Sequence, residues 1–123
     1  MALVLVVDDE PDVRLVARVV LTSAGHQVVE AESGEEALDH LESDLSPDAV
    51  LLDVRMPGID GWEVLRRLEE MGRFPRTPVV LLSAQVDAVT AARAVELGVH
   101  AHLAKPFSAA ELSRVLGRLV TAA

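Results

Sequence analysis

The sequence contains no cysteine, and only one of its eleven basic residues, Lys105, is a lysine. Without cysteine the chain can form neither a disulfide framework nor a site that depends on thiol chemistry. It also lacks the run of ~20 apolar residues that a membrane-spanning helix requires. Residues 1–7 have neither the basic start nor the long apolar stretch of a secretory signal. We therefore expect a cytoplasmic protein that has no membrane segment.

Positive charge is also scarce, because 11 basic residues face 20 acidic ones and the formal net charge is -9. This balance argues against direct nucleic-acid binding, which requires a basic surface, and against binding to an anionic membrane. It suits a protein that binds a metal cation or a basic patch on another protein. The length of 123 residues, half of them apolar, predicts a single domain over residues 1–123.

Short apolar runs alternate along the chain with segments of helical periodicity. The apolar runs lack a regular polar alternation, which is typical of strands buried on both faces. The predicted strands are residues 3–7, 27–31, 49–52, 79–82 and 100–104. The predicted helices are residues 11–24, 33–41, 60–71, 88–97 and 108–119. This order predicts an α/β fold whose parallel sheet is covered by helices on both faces.

Three of the predicted helices begin with a capping signal. Ser33 with Glu36 and Ser108 with Glu111 have the spacing of a capping box, in which a hydroxyl and a carboxylate satisfy free N–H groups. Asp60 is expected to be the N-cap of the third helix.

Polar residues whose side chains can bind ligands or react follow the strands, at the edge of the sheet where ligands bind in such folds. They are Asp8, Asp9 and Glu10 after the first strand, Asp53 after the third, Ser83 after the fourth and Lys105 after the fifth. Crowded carboxylates resist joint ionisation, and a hard divalent cation such as Mg²⁺ would relieve their repulsion. A carboxylate beside the cation could attack a phosphoryl group and form an acyl phosphate. The lysine and the serine could then stabilise its oxygens.

Each of these residues also has a structural interpretation. Asp9 could cap the first helix, Ser83 could be a turn residue, and Lys105 could be a solvated surface charge. Asp53 is the one residue that favours function when taken singly, because a carboxylate that ends a buried strand is costly without a partner.

Four segments, in chain order, resemble the motifs of the receiver domains of two-component response regulators. They are residues 6–11 (VVDDEP), 51–61 (LLDVRMPGIDG), 82–84 (LSA) and 104–107 (AKPF). Each motif is short, but all four stand at the expected strand ends, and the resemblance covers essentially the whole chain. It implies a flavodoxin-like, doubly wound sheet of five parallel strands in the order 2-1-3-4-5, with five helices.

The resemblance implies a role for each matched acidic residue. Asp53 would accept a phosphoryl group from a phosphohistidine of a partner histidine kinase or histidine phosphotransferase. Asp9, Asp53 and the backbone carbonyl of Arg55 would bind Mg²⁺ directly, and Asp8 would bind it through water. Such a domain is a phosphoacceptor that assists its own phosphorylation and dephosphorylation rather than an enzyme.

The resemblance also implies how a signal leaves the site. Lys105 would pair with the phosphate, Ser83 would move toward the phosphoryl oxygens, and the peptide bond before Pro106 would be cis. His102 stands where the family usually has tyrosine or phenylalanine, so it is either the ring that follows Ser83 inward or a ring simply exposed on the fifth strand. The switching surface would be the fourth helix, fifth strand and fifth helix, where an output domain, an effector protein or a second copy could bind.

Two other functions share part of this chemistry. A magnesium-dependent phosphohydrolase of the haloacid-dehalogenase type would also use Asp53 as nucleophile, but it carries a second acid at the position of Arg55 and a capping insertion for which this chain has no length. A degenerate receiver that serves only for docking would not need the full set of site residues. A dinucleotide site is not expected, because no glycine-rich turn follows the first strand.

Overall fold

The computed structural model describes residues 2–84, 87–99 and 101–120. Within these ranges five strands alternate with five helices. In chain order they are β1 Leu3–Val7, α1 Pro11–Ser23, β2 Gln27–Ala31, α2 Gly34–Glu42, β3 Ala49–Asp53, α3 Gly61–Glu70, β4 Val79–Ser83, α4 Ala88–Leu97, β5 Ala101–Ala104 and α5 Ala109–Val120. All neighbouring strands are parallel, in the order β2-β1-β3-β4-β5. The predicted fold class and strand order are therefore confirmed.

The two faces of the sheet carry separate hydrophobic cores. Successive side chains of a strand point to opposite faces, so Leu52 and Leu81 pack with α2, α3 and α4, whereas Leu51 and Leu82 pack with α1 and α5. Every residue of β3 and β4 is buried. Full burial of one such side chain contributes about 1.5–3 kcal/mol. Because all five strands run parallel, their carboxyl ends lie at one edge of the sheet. Within the described ranges, no helix combines the length and the apolar character needed to span a membrane.

Two strands are one residue longer than predicted, and both extensions belong to site residues. Asp53 pairs with Leu82 and ends β3, and Ser83 pairs with Ala104 and ends β4. The Lys105 N–H also donates to the Ser83 carbonyl at 2.8 Å. The ends of the strands are set by these partners on neighbouring strands, which a local pattern does not contain. The predicted start of the fifth strand, residue 100, lies outside the described residues.

The three predicted N-cap residues are confirmed, and of the two predicted capping boxes the reciprocal pair of bonds is present at Ser108 and Glu111. Ser33 and Asp60 each accept a hydrogen bond from the backbone N–H three residues further on, at 3.0 and 2.9 Å. Ser108 and Glu111 bond reciprocally, since the hydroxyl of the first and the carboxylate of the second each accept a backbone N–H at 3.1 Å. A further cap that was not predicted is Asp87, which accepts the Thr90 N–H at 2.7 Å and begins α4.

Helix α4 is held to the rest of the molecule by few apolar contacts. Ala94 is its one buried residue, and Val89 and Val95 are 77% and 79% exposed. The Arg93 guanidinium lies over the Trp62 ring of α3, 4.3 Å from the ring centroid. Such a cation–π contact contributes about 0.5–1 kcal/mol at an exposed site. The stack therefore supplies a notable part of the attachment between α3 and α4.

The first residue of α3, Gly61, lies directly against the end of β3. A Cβ at this position would overlap the carbonyl oxygen of Asp53 and lie 2.9 Å from the Val54 Cα. The Gly61 N–H also donates to the Val54 carbonyl at 3.0 Å. The close approach of these two backbones therefore requires glycine.

We expect Gly61→Ala to lower the free energy of unfolding by about 1–3 kcal/mol, because the added methyl group forces the backbone of β3 or α3 to move. Urea unfolding measures the change. The control is Gly117→Ala in α5, where a Cβ meets no atom within 4 Å. That variant should gain about 0.5–1 kcal/mol, because alanine favours a helix over glycine. A Gly61→Ala protein as stable as the wild type would contradict the argument.

Candidate functional site

The structure brings the predicted site residues to one edge of the sheet, around an open cavity of ≈ 570 Å³. Strand ends position most of them, and two loops complete the rim. The cavity is lined by Asp9, Glu10, Asp53, Val54, Arg55, Ser83, Ala84 and Lys105. Asp8 lies just beneath this surface, fully buried. Every residue that the sequence placed in the site is therefore at this edge, apart from His102 on β5.

Asp8, which follows β1, is held by several contacts. Its N–H donates to the Ala31 carbonyl at 3.1 Å, and its Oδ1 accepts the Glu10 N–H at 2.9 Å. Its Oδ2 lies 2.6 Å from the Lys105 Nζ. Burial raises the pKa of Asp8 above its ordinary value, although the hydrogen bonds from the lysine and from the backbone oppose the shift.

Asp9 and Glu10 complete an acidic loop with Asp8, and both are exposed. One carboxylate oxygen of each of the three residues lies within 4.8 Å of the others. The N-cap of α1 is Glu10, whose side chain makes no capping hydrogen bond. The interpretation of Asp9 as the cap of the first helix is therefore wrong, because the helix begins one residue later than that role requires.

Asp53 ends β3 and is only 3% exposed. Its Oδ1 accepts the Arg55 N–H at 3.3 Å, and its Oδ2 lies 3.3 Å from the Lys105 Nζ. Burial, together with the nearby charge of Asp8, raises the pKa of Asp53 to about 6, and the lysine opposes the shift. At neutral pH the carboxylate is therefore mostly ionised and yet poorly solvated, as a nucleophile needs to be.

Lys105 is the cation that these carboxylates share. Its Nζ lies 2.6 Å from Asp8, 3.2 Å from Glu10 and 3.3 Å from Asp53, and its side chain is 9% exposed. Burial of the ammonium acts to lower its pKa, but the hydrogen bond and charge of Asp8, with the charge of Asp53, outweigh that effect and raise it. The interpretation of Lys105 as a solvated surface charge is therefore wrong, because three acidic groups draw the ammonium into the site.

The peptide bond between Lys105 and Pro106 is cis, as the family resemblance implied. A second cis bond, Phe74–Pro75, was not predicted.

Ser83 and His102 lie on the same face of neighbouring strands. Leu81 pairs with His102 and Ser83 pairs with Ala104, so the histidine and the serine project toward the side of the sheet that α3 and α4 cover. Ser83 is buried and His102 is half-buried. The His102 Nε2 is inaccessible to solvent and has no hydrogen-bond partner within the described residues. The alternative of a ring simply exposed on β5 is wrong, and a role for the ring in switching stays a prediction.

Sequence reasoning overlooked one contributor to the geometry of the acidic loop, Arg14. Its guanidinium donates to the carbonyl oxygen of Asp8 at 2.7 Å. Arg14 is one of ten arginines in the chain. A helical position four residues after Glu10 was the only available signal, and it does not separate this arginine from the others.

The donor set fits a hard divalent cation. Four carboxylates meet at this edge, from Asp8, Asp9, Glu10 and Asp53, and one ammonium offsets part of their charge. Carboxylate and carbonyl oxygens are the ligands that Mg²⁺ prefers. The remaining negative charge and the open cavity next to it are therefore compatible with a magnesium ion and an oxyanion.

A family model for the response regulator receiver domain matches residues 4–116. The chain belongs to this family. It is 36% identical over 116 residues to the DNA-binding transcriptional regulator NtrC of Klebsiella pneumoniae, and the match covers 94% of this chain and 24% of that protein. It is also 34% identical over 109 residues to the sporulation initiation phosphotransferase F of Bacillus subtilis, with 89% of this chain and 86% of that protein covered.

Solved receiver structures agree with this assignment. The Francisella response regulator 1452 receiver domain matches with a TM-score of 0.89 at 28% identity and covers 98% of both chains. The chemotaxis response regulator CheY4 of Vibrio cholerae matches with a TM-score of 0.88 at 29% identity, covering 97% of this chain and 98% of that one. The predicted family is confirmed, and the comparisons give no support to the phosphohydrolase alternative. The chain spans about a quarter of the length of NtrC.

The raised pKa of Asp53 predicts a pH-dependent effect of Asp53→Asn on stability. The folded protein holds the proton more tightly than the unfolded chain, whose pKa is near 3.8. Ionisation of Asp53 therefore destabilises the fold fully above about pH 6 and not at all below about pH 4. In metal-free buffer at pH 7.5, Asp53→Asn should be more stable than the wild type by roughly 3 kcal/mol. The gain should vanish as the pH falls from 6 to about 4.

Urea unfolding across this pH range measures the difference, with Asp44→Asn as the control. Asp44 is an exposed residue of the loop between α2 and β3, so its substitution should leave the pH profile unchanged. An equal gain for Asp53→Asn at pH 4 and pH 7.5 would show that charge burial is not the cause.

Proposed function

We propose that the protein is a phosphorylation-driven switch in which Asp53 accepts a phosphoryl group from a phosphohistidine of a histidine kinase or a histidine phosphotransferase. The observation that carries the proposal is the buried Asp53 carboxylate, which shares the only lysine of the chain with a second buried carboxylate, Asp8, at the edge of an open cavity. A purely structural edge would not concentrate buried charge beside a cavity, because such charge is costly.

The transfer forms one covalent bond, between a carboxylate oxygen of Asp53 and the phosphorus. A carboxylate oxygen of Asp53 attacks the phosphorus, the bond between phosphorus and the imidazole nitrogen breaks, and the imidazole leaves with the electron pair. An acyl phosphate results. Lys105 then pairs with a phosphoryl oxygen in addition to Asp8, and the Ser83 hydroxyl donates to another oxygen. These donors stabilise charge where it develops during transfer.

The residues that would hold Mg²⁺ are Asp9 and Asp53, with the carbonyl of Arg55 as a further ligand and Asp8 in support through water. When bound, the cation neutralises negative charge on the phosphoryl oxygens and on the carboxylates around them. The side chain of Arg55 is exposed to solvent. Its proposed contribution to the site is the backbone carbonyl, as a ligand of the cation. The hydrogen bond from the Glu10 N–H would hold the Asp8 carboxylate in place for this supporting role.

The protein would assist both its own phosphorylation and its own dephosphorylation, rather than turn over a separate substrate. Ala84, next to Ser83, is small and exposed and lines the cavity. Water can therefore reach the phosphoryl group, and the acyl phosphate has a limited lifetime. The proposal includes a cytoplasmic location, because histidine kinases present their phosphohistidine there.

The signal would leave through the surface formed by α4, β5 and α5. Movement of the Ser83 hydroxyl toward the phosphoryl group vacates space on the face of the sheet that His102 shares. The ring of His102 then moves inward and changes the position of α4. An output domain, an effector protein or a second copy of the chain would read this surface. With a net charge of -9, direct contact with nucleic acid is not part of the proposal.

The first test is covalent phosphorylation. Incubation with acetyl phosphate and Mg²⁺ should add the mass of one phosphoryl group to the wild type and to the control Asp44→Asn, and nothing to Asp53→Asn. Removal of Mg²⁺ with EDTA should abolish the adduct, because the site then lacks its main positive charge. Intact-mass spectrometry measures all four samples. An adduct that persists in Asp53→Asn would overturn the assignment of the acceptor.

The second test concerns His102. We expect its ring resonances to shift when beryllofluoride and Mg²⁺ are added, because the ring moves inward as the activated site draws in Ser83. His40 on α2 is the internal control and should not respond. Two-dimensional NMR of labelled histidine follows both rings. If His102 ignores activation as His40 does, the signal does not pass through this ring.

A further inference from the structure

Arg14 connects the acidic loop to the edge strand of the sheet. It lies in α1, and its side chain is 14% exposed. Its Nη1 donates to the carbonyl oxygen of Asp8 at 2.7 Å, and its Nε donates to Oε1 of Glu30 on β2 at 3.2 Å. A guanidinium presents its donors in a fixed plane, so the two acceptors together determine its orientation.

The carbonyl that Arg14 binds belongs to the peptide bond between Asp8 and Asp9. The orientation of this peptide determines the direction in which the Asp9 side chain leaves the backbone. Lys105 holds the side chains of Asp8 and Glu10, whereas the hydrogen bond from Arg14 acts on the backbone carbonyl itself. A hydrogen bond from a charged donor at 2.7 Å is among the stronger restraints available to a backbone carbonyl.

Glu30 makes this arrangement compatible with a metal site. An unpaired guanidinium close to the acidic loop would repel a divalent cation. The Glu30 carboxylate offsets part of the charge of Arg14 through Oε1, and it also pairs with Arg18 through Oε2, at 3.1 Å. Glu30 therefore reduces the repulsion between Arg14 and a bound cation, while the hydrogen bond from Arg14 still acts on the loop.

We propose that Arg14 is a positioning residue, which Glu30 orients and which fixes the Asp8–Asp9 peptide so that the carboxylates on either side of it face the cation. The inference rests on the proposed function, because it concerns the same Mg²⁺ site. It assigns a role in metal affinity to a residue of α1 that does not itself contact the cation. Residues that orient metal ligands in this way change metal affinity by about 10–100-fold when they are replaced.

The chain offers a matched control in Arg18. It lies one turn further along α1, pairs with the same glutamate and is 51% exposed. Within the described residues Arg18 makes no hydrogen bond or ion pair with residues 8–10. Replacement of either arginine removes one positive charge and one contact to Glu30, but only the replacement of Arg14 releases the Asp8 carbonyl.

The experiment compares Arg14→Met, Arg14→Lys and Arg18→Met with the wild type by isothermal titration with MgCl₂. We expect Arg14→Met to weaken Mg²⁺ binding about tenfold or more and Arg18→Met to stay within about twofold. Arg14→Lys should also bind weakly, since an ammonium keeps the charge but cannot reproduce the planar fork. Lysine also preserves the long side chain and serves as the test variant if Arg14→Met does not fold.

A second readout separates positioning from a structural role. In phosphorylation by acetyl phosphate, the Mg²⁺ concentration that gives half the maximal rate should rise in the Arg14 variants, and the rate at saturating Mg²⁺ should approach that of the wild type. Arg14 variants that lose stability in urea but keep the Mg²⁺ affinity of Arg18→Met would overturn the inference. Failure of the proposed function looks different, because the wild type itself would then bind no Mg²⁺.

Discussion

The structure depends on one ammonium group placed between two buried carboxylates. Asp8 follows β1 and Asp53 ends the neighbouring β3, and their charges would repel each other at this poorly solvated edge. Lys105 reaches them across the end of β4, with its Nζ 2.6 and 3.3 Å from the two carboxylates. In the strand order β2-β1-β3-β4-β5 only β4 separates β5 from β3, so a long side chain that follows β5 can reach the end of β3. Topology and electrostatics are therefore linked at this point: the order of the strands supplies the counter-charge.

Lys105 offsets only part of the negative charge of these carboxylates. The pKa of Asp53 remains raised, to about 6, so the folded protein carries a carboxylate that would be more stable with a proton or another cationic partner. Binding of a cation at this edge would relieve that cost. Natural proteins commonly accept a loss of stability where function requires it. The fully buried strands β3 and β4 supply the stability that offsets this loss.

The α/β fold class and the edge of the sheet that carries the site follow from local patterns, whereas the strand order was implied by the resemblance of four motifs to receiver domains. Strands buried on both faces appear as apolar runs, and the residues that follow such runs must lie at the edge where the strands end. What the sequence did not reveal depends on contacts between distant segments. Asp53 and Ser83 extend their strands because they pair with residues of β4 and β5, and the half-buried state of His102 is a property of the folded chain that its local pattern does not contain. Arg14 acquires its importance from Asp8 and Glu30, and nothing in its own neighbourhood distinguishes it.

Helix α4 is attached by few contacts and is therefore held less firmly than the sheet beneath it. A helix that buries a single alanine and leans on one aromatic stack can separate from the sheet at a small free-energy cost. The strands beneath it would retain their hydrogen bonds and their core. Among the described helices, α4 is therefore one that could shift at a low free-energy cost if the rim of the site were disturbed. Because the outer side of α4 is exposed, residues such as Val89 and Val95 could contact different partners without changing the packing of the core.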